Sequence, residues 1–288
     1  SLNGILLIDI LSFSFGVGAL FFVYIPKPRK SQDGTESEGG LLKEATFGFR
    51  YIWRRKPLFA VQSVFFFGNL LFAFVLVLLN PYVLARTGND EFQLSLVNAA
   101  MGLGGVIGGI AITAWGGPKR RINGVLIGFV MWGLCGAILF GLSQSLIGWV
   151  AGAFLGNLCG PVLNASNQAI WQSKVPPDVQ GKVFAVRRII AQVTFPVAAF
   201  LAGPLADYVF EPAMLTGGSL ARTFGGFVGT GPGAGMGLMF VIVGVVQVLV
   251  IIVAYAIPII REVEDRIKDF DDEPMLDEEE ASSLVQPA

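Results

Sequence analysis

The chain has 288 residues, a mean hydropathy of +0.66, 53% hydrophobic and only 14% charged residues, two cysteines and no histidine. A water-facing domain carries about 25% charged residues, so this composition excludes an ordinary soluble surface. It equally excludes disorder, a disulfide-stapled scaffold and any metal site or proton relay built on histidine.

A bilayer core of about 30 Å needs roughly 20 apolar residues in a helix. Seven stretches reach or approach that length: Leu2–Ile25, Leu58–Leu84, Phe92–Trp115, Ile122–Leu142, Leu146–Ile170, Ile189–Leu205 and Met236–Ile260. The sixth has only 17 residues and is expected to start earlier, near Phe184. The runs are too long and too uniformly apolar for alternating barrel strands. The predicted fold class is therefore an all-α polytopic membrane protein with seven transmembrane helices.

Taken in order, the first stretch carries Asp9, the one acid inside any of the seven. An ionised carboxylate in lipid usually faces a cavity or a partner, so Asp9 is a candidate proton-coupling group. A structural or interfacial carboxylate fits the position as well. Chain opening at Ser1 directly into this stretch suggests that a preceding portion is missing. Pro26–Pro57 then separates one span from six. Its first part, SQDGTESEGG, reads as a polar linker. Its second, LLKEATFGFRYIWRR, reads as an amphipathic helix with Leu41, Ala45, Phe49 and Ile52 along one face. Such a helix suits the surface of a leaflet; a solvated loop helix fits the same pattern.

The second stretch spaces Gln62, Asn69 and Asn80 by 7 and 11 residues, and the fifth spaces Asn157, Asn164 and Gln168 by 7 and 4. Each set falls on one helical stripe. Amides can hold polar parts of a solute without burying a charge; helix–helix hydrogen bonding is the alternative use. Phe65, Phe66, Phe72 and Phe154 are available as aromatic wall. Glycines recur at packing spacing: Gly104/Gly108, Gly105/Gly109, Gly124/Gly128, and Gly148, Gly152, Gly156 and Gly160. Such ridges let helix backbones approach closely. Pro161 and Pro196 are expected to kink the fifth and sixth helices.

The basic residues are sorted. The segments after the first, third, fifth and seventh spans hold 18 of the 20, and the alternate connections hold only Arg86 and Arg222. Positive-inside topology then puts Ser1 outside and the tail in the cytoplasm. The tail, residues 261–288, has 11 acids against three bases and reads as a solvated acidic segment.

Several matches fail on context. Gly229-x-Gly231-x-x-Ala234 fits a dinucleotide fingerprint without a preceding strand, Asn164-Ala-Ser166 is a glycosylation sequon inside a span, and no phosphate-loop sequence occurs. Cys135 and Cys159 lie mid-span as packing residues. No nucleophile–base pair assembles without histidine, so an enzyme is not expected, and no cofactor or metal is expected either.

One span, a basic linker and six further spans in this order resemble the C-terminal half of a major facilitator superfamily transporter, preceded by the last helix of its N-terminal half. The residues that carry the resemblance are Asp9-Ile-Leu-Ser-Phe13, Gly40–Tyr51 (GLLKEATFGFRY), Gly108-Gly109, Gly116-Gly117-Pro-Lys-Arg-Arg121, Val175–Phe184 (VPPDVQGKVF) and Ala202–Asp207 (AGPLAD). The local match is to the drug- and siderophore-export branch, the enterobactin-exporter and macrolide-efflux relatives.

The resemblance implies a half-bundle divided into residues 1–25 (last helix of the N-terminal half), 26–57 (cytoplasmic linker), 58–260 (six-helix half) and 261–288 (acidic tail). It makes the second and fifth spans the seventh and tenth helices of the fold, two that line the central cavity. Gly116, Gly117, Lys119, Arg120 and Arg121 stand where the fold repeats its cytoplasmic loop motif, but the acid that precedes the basic pair in the fuller motif is absent. Its charge-relay role therefore does not transfer.

The implied function is proton-coupled export of a small organic solute by alternating access in the cell (inner) membrane. The expected partners are the lipid bilayer, a missing N-terminal six-helix half, the solute and protons, and no nucleic acid. Lipid flipping by the same fold, or a scaffold or sensor acting through its cytoplasmic parts, are the competing readings.

Overall fold

The structure is a computed structural model that describes residues 2–20, 31–37 and 39–270. All regular elements among the described residues are helical. Lipid offers the backbone no hydrogen-bond partner, so a spanning segment must satisfy its own N–H and C=O groups. Six helices are long and apolar enough to cross a membrane: Lys56–Thr87, Glu91–Trp115, Arg121–Leu142, Leu146–Lys174, Pro177–Met214 and Ala234–Ala256. The first expected span, Leu2–Ile25, is described only as far as Leu20, as α1 (Leu2–Leu20); residues 21–25 lie outside the described residues. Leu7, Ile8, Ile10, Leu11, Phe13 and Phe15 are all exposed, with Asp9 and Ser12 on the remaining face.

The expected linker is more ordered than its composition suggests. Ser31 caps the five-residue α2 (Gln32–Glu36) by accepting from the Gly34 N–H. The Asp178 carboxylate accepts from the Ser31 N–H at 2.7 Å, and Arg55 pairs with Asp33 at 2.7 Å. Next comes α3 (Leu41–Arg54), the expected amphipathic helix; of its expected apolar face Ile52 is buried and Phe49 is not, while the side chains of Leu41 and Ala45 lie outside what is described. Phe47, Gly48, Tyr51 and Ile52 are buried, whereas Phe49 and Trp53 are exposed. The buried set packs on Val179, Val183 and Val186 of α10 (Pro177–Leu205), with Trp171 and Val175 beside them. Gly48 makes this possible: a Cβ there would lie 2.6 Å from the Lys182 carbonyl oxygen.

This docking explains why the sixth span starts at Pro177 and not near Phe184. Val179, Val183 and Val186 form a narrow apolar stripe among Lys182, Arg187 and Arg188, so the segment reads as charged until α3 covers the stripe. The helix then runs through Pro196, passes into a π-helical turn (Ala206–Phe210) after Pro204, and ends in α11 (Glu211–Met214). The helical assignment is continuous through Pro196. The fifth span does break: α8 (Leu146–Leu158) gives way at Cys159 to α9 (Gly160–Lys174), with Pro161 in its first turn.

The remaining spans pack around these. α4 (Lys56–Thr87) lies against α10, α5 (Glu91–Trp115) against α8, and α6 (Arg121–Met131) against α9. A π-helical stretch (Trp132–Leu139) continues α6 into α7 (Phe140–Leu142) and faces α13 (Ala234–Ala256). At the end of the bundle remote from α3, Tyr82, Phe140, Trp149 and Phe240 form an aromatic cluster, with Tyr82–Phe240 centroids 5.0 Å apart. The Tyr82 hydroxyl donates to the Ser143 carbonyl at 3.0 Å and the Trp149 indole to the same oxygen at 2.8 Å. After the short α12 (Ala221–Val228), the Glu211 carboxylate accepts from Gly233 and Met236 N–H groups, capping the start of α13.

The glycine ridges divide in two. A Cβ on Gly104 or Gly108 would collide with the Phe154 or Leu158 carbonyl, and one on Gly124 with Ser166. Gly105, Gly109 and Gly160 would meet nothing. Close backbone approach therefore runs along one side of α5 only. Replacing Gly108 with Val should destabilise the bundle by about 1–3 kcal/mol, the usual cost of overpacking. Gly109→Val should stay within about 0.5 kcal/mol. Denaturant unfolding of both variants in lipid nanodiscs measures the difference; equal losses would contradict the one-sided seam.

Candidate functional site

Two cavities lie where α4, α9 and α10 meet and where α4, α6 and α8 meet. The larger, about 690 Å³, is lined by Gln62 and Phe65 of α4, Asn164, Asn167 and Gln168 of α9, and Gly181, Phe184, Ala185, Arg187, Arg188 and Ala191 of α10. The smaller, about 170 Å³, is lined by Asn69 and Phe72, by Phe129 and Trp132, and by Asn157, Leu163 and Asn164 among others. Asn164 lines both, so the two cavities adjoin at this residue.

Five of the six amides singled out by spacing thus line cavities: Gln62, Asn164 and Gln168 the larger, Asn69 and Asn157 the smaller, with Asn164 shared. Asn80 does not. It is exposed, because at its level the packed face of α4 is Val75, Leu78, Leu79, Tyr82 and Val83, on another side of the helix. Of the four phenylalanines, Phe65 and Phe72 line these cavities. Phe66 instead joins Phe49, Trp53, Phe59 and Phe67 in an apolar groove beside α3.

The amides are held by their own helices. Asn157 Nδ2 donates to the Ala153 carbonyl and Asn164 Nδ2 to the Gly160 carbonyl, both at 2.9 Å. Each bond fixes a rotamer and uses one of the two amide N–H donors, which leaves the carbonyl and the second N–H for other groups. Three lining residues escaped the sequence reading. Asn167 is buried and its Oδ1 has no partner among the described residues. It stands three residues after Asn164, a helical spacing that places it beside that residue. Phe184 and Arg187 lie on the turn of α10 where the sixth span was expected to begin. The Arg187 guanidinium sits 4.3 Å from the Trp171 ring centroid and 5.1 Å from that of Phe184. Its Nη1 donates to Gln168 Oε1 at 3.4 Å.

Asp9 lies on α1, exposed, away from both cavities; Ser12 Oγ donates to its backbone carbonyl at 3.0 Å. The loop motif forms a separate site. Gly116 and Gly117 take φ of 80° and 85°, left-handed values that glycine adopts freely, and so turn the chain sharply after α5. Lys119 is exposed. Arg120 pairs with Asp265 at 3.1 Å, and Arg121 donates to the Ala169 carbonyl at 2.9 Å. The Glu264 carboxylate caps α6 by accepting from the Ile122 N–H at 3.0 Å.

The acid missing before the basic pair is therefore met from the far end of the chain. α14 (Pro258–Arg261) and α15 (Val263–Arg266) bring Glu264 and Asp265 to this turn. Lys174, buried at the end of α9, holds the segment in place: its Nζ donates to the carbonyls of Glu264 and Ile267 and pairs with Asp269 at 2.8 Å.

Membrane-length helices around a polar cavity define a polytopic membrane protein whose bundle interior is shaped to hold a solute. The sequence profile described as Major Facilitator Superfamily matches residues 4–199, and the chain belongs to that family. It is 26% identical over 216 residues to macrolide efflux protein A of Streptococcus pyogenes, covering 72% of this chain and 51% of that protein. Macrolide efflux protein A of Enterococcus faecalis matches at 26% over 204 residues, 68% of this chain and 60% of the relative. The multidrug efflux pump Tap of Mycolicibacterium fortuitum matches at 26% over 161 residues, 56% and 39% respectively. The chain spans about half the length of the first of these relatives. No solved structure gives a significant match.

The Lys174 anchor has a defined pH response. The hydrogen bond from Lys174 holds the Asp269 carboxyl below the usual carboxylate range. A carboxylate with a depressed pKa contributes its stabilisation above its unfolded value and loses it as pH falls through the folded one. A spin label at Phe270→Cys should therefore stay immobile from pH 7 down to about pH 4 and become mobile below it. Lys174→Met should show the mobile spectrum at every pH; an immobile label in that variant would remove the anchor.

Proposed function

We propose that this chain forms the C-terminal six-helix half, with the preceding helix and linker, of an exporter of small organic solutes. On this reading residues 1–25 end the N-terminal half, 26–57 link the halves, 58–260 form the transporting half and 261–288 form a tail. The observation that carries the reading is the adjoining pair of cavities, lined by amides from the two helices that the spacing of polar residues had singled out. Amides, aromatic rings and a volume of about 690 Å³ suit a solute with polar and apolar parts. The names of the relatives, macrolide and multidrug efflux, point the same way.

Alternating access in such a fold rocks two halves about a site between them, so the exposed α1 and the open side of α5 suit contact with an N-terminal half. The sorted basic residues support an arrangement with Ser1 outside, the tail in the cytoplasm and the loop motif of Gly116–Arg121 on the cytoplasmic side of the inner membrane. Protons drive export, with Asp9 as the coupling group.

In the complete transporter, Asn164→Trp should fill the junction of the cavities and lower efflux at least tenfold, whereas Asn80→Trp should leave it near wild type. Efflux from inverted vesicles with a fluorescent substrate measures both, and equal effects would remove the cavity from the mechanism. Asp9→Asn should abolish efflux driven by a proton gradient at unchanged expression; undiminished efflux would exclude Asp9 from coupling. The 288-residue chain alone should insert without transporting.

A further inference from the structure

We infer that the larger cavity binds an oxyanion of its cargo, a carboxylate in chemical class, on Arg187. The inference rests on the reading of that cavity as the cargo site. Its lining holds two guanidinium groups, Arg187 and Arg188, and no carboxylate. The acids at the same end of the bundle are engaged elsewhere: Asp178 with Ser31, Asp269 with Lys174, Asp33 with Arg55 and Glu44 with Lys182. Among the described residues Arg187 has no acidic partner, and its Nε, shielded from solvent, makes no hydrogen bond. Stacking on Trp171 and Phe184 attracts the cation without neutralising it.

The stacking has a second consequence. It fixes the plane of a side chain that is otherwise rich in rotamers, and a guanidinium held flat presents a rigid fork matched to a carboxylate. A charge removed from water without a counter-ion is costly. A cargo bearing an oxyanion supplies that counter-ion, and the amides of Gln62 and Asn167 stand beside it as further polar contacts. A cationic cargo would meet two like charges and no acid.

Three small aryl azides of matched shape test this on the purified 288-residue chain in nanodiscs of zwitterionic lipid: 4-azidobenzoate, the neutral 4-azidobenzamide and the cationic 4-azidobenzylamine. Photolabelling followed by peptide mapping should place the benzoate on segments 164–168 and 184–191, about tenfold more heavily than the benzamide, as a charge-assisted pair requires. Arg187→Gln should lower benzoate labelling about tenfold and leave the benzamide unchanged; Arg187→Lys should keep part of the preference. Helical circular dichroism and monodisperse elution verify that each variant is folded.

Equal labelling by all three probes within the cavity would overturn the oxyanion site and leave the cargo cavity standing. Labelling by none of them there would overturn both. Loss of benzoate labelling when anionic lipid replaces a third of the zwitterionic lipid would assign the site to a lipid headgroup and overturn the cargo inference.

Discussion

Lipid chains are as apolar as leucine, so apolar side chains gain nothing by leaving lipid for one another, and helices in a bilayer associate through close backbone contact and hydrogen bonds. That constraint sets the plan of this bundle. Where Gly104 and Gly108 face α8, the helices meet backbone to backbone, with the Phe154 and Leu158 carbonyls where side chains would otherwise stand. Gly124 and Gly128 make room on α6 for the side chains of Ser166 and Leu163. Where α4 and α10 approach α9, the residues are instead glutamine, asparagine, phenylalanine and arginine, which hold the backbones apart. The cavity is the space that these larger residues keep open beside a seam that glycine closes.

The same contrast governs polarity. A hydrogen-bonding group in lipid must find a partner within the protein, and Asn157 and Asn164 find theirs one turn back on their own helices. Their remaining acceptors, with Asn167 and the Arg187 guanidinium, are spread over two helices around one volume. Gln247 shows what happens without such a volume. It is fully buried on α13 against the π-helical stretch, and neither end of its amide has a partner among the described residues. A π-helical turn widens the helix and loosens its backbone pairing, so Gln247 stands beside the most irregular stretch of its neighbour.

The spans were legible because lipid imposes a length and a composition that little else in a sequence imitates. Five of six amides were legible for a related reason: a polar side chain in an apolar run has few tolerable directions, and period 3.6 reveals the shared one. Asn80 obeys the period yet faces outward, since the packed side of α4 turns between Gln62 and Tyr82, a property of the neighbours and not of α4. Arg187 was hidden by a sound rule applied too broadly. Basic residues beside spans usually mark the side of the membrane, and a guanidinium within the bundle looks the same until Trp171 is seen beneath it. The start of α10 was hidden likewise, because its apolar stripe is one residue wide and its partner, α3, is distant in sequence.

α10 and its continuation connect these features. From Pro177 to Met214 the helix has 38 residues, about 57 Å at 1.5 Å per residue, far beyond the roughly 30 Å of hydrocarbon. One end holds Asp178, which grips the linker through Ser31. The next turns carry the valines under α3 and the arginine of the cavity, and the far end holds Glu211, which caps α13. A helix unbroken through Pro196 transmits displacement along its length, since packed helices shift as units and not by continuous deformation. The fifth span lacks this continuity: Cys159 and Pro161 interrupt it one turn before Asn164. The cavity thus lies between a continuous helix, tied to the linker at Asp178, and a span whose regularity is interrupted at Cys159.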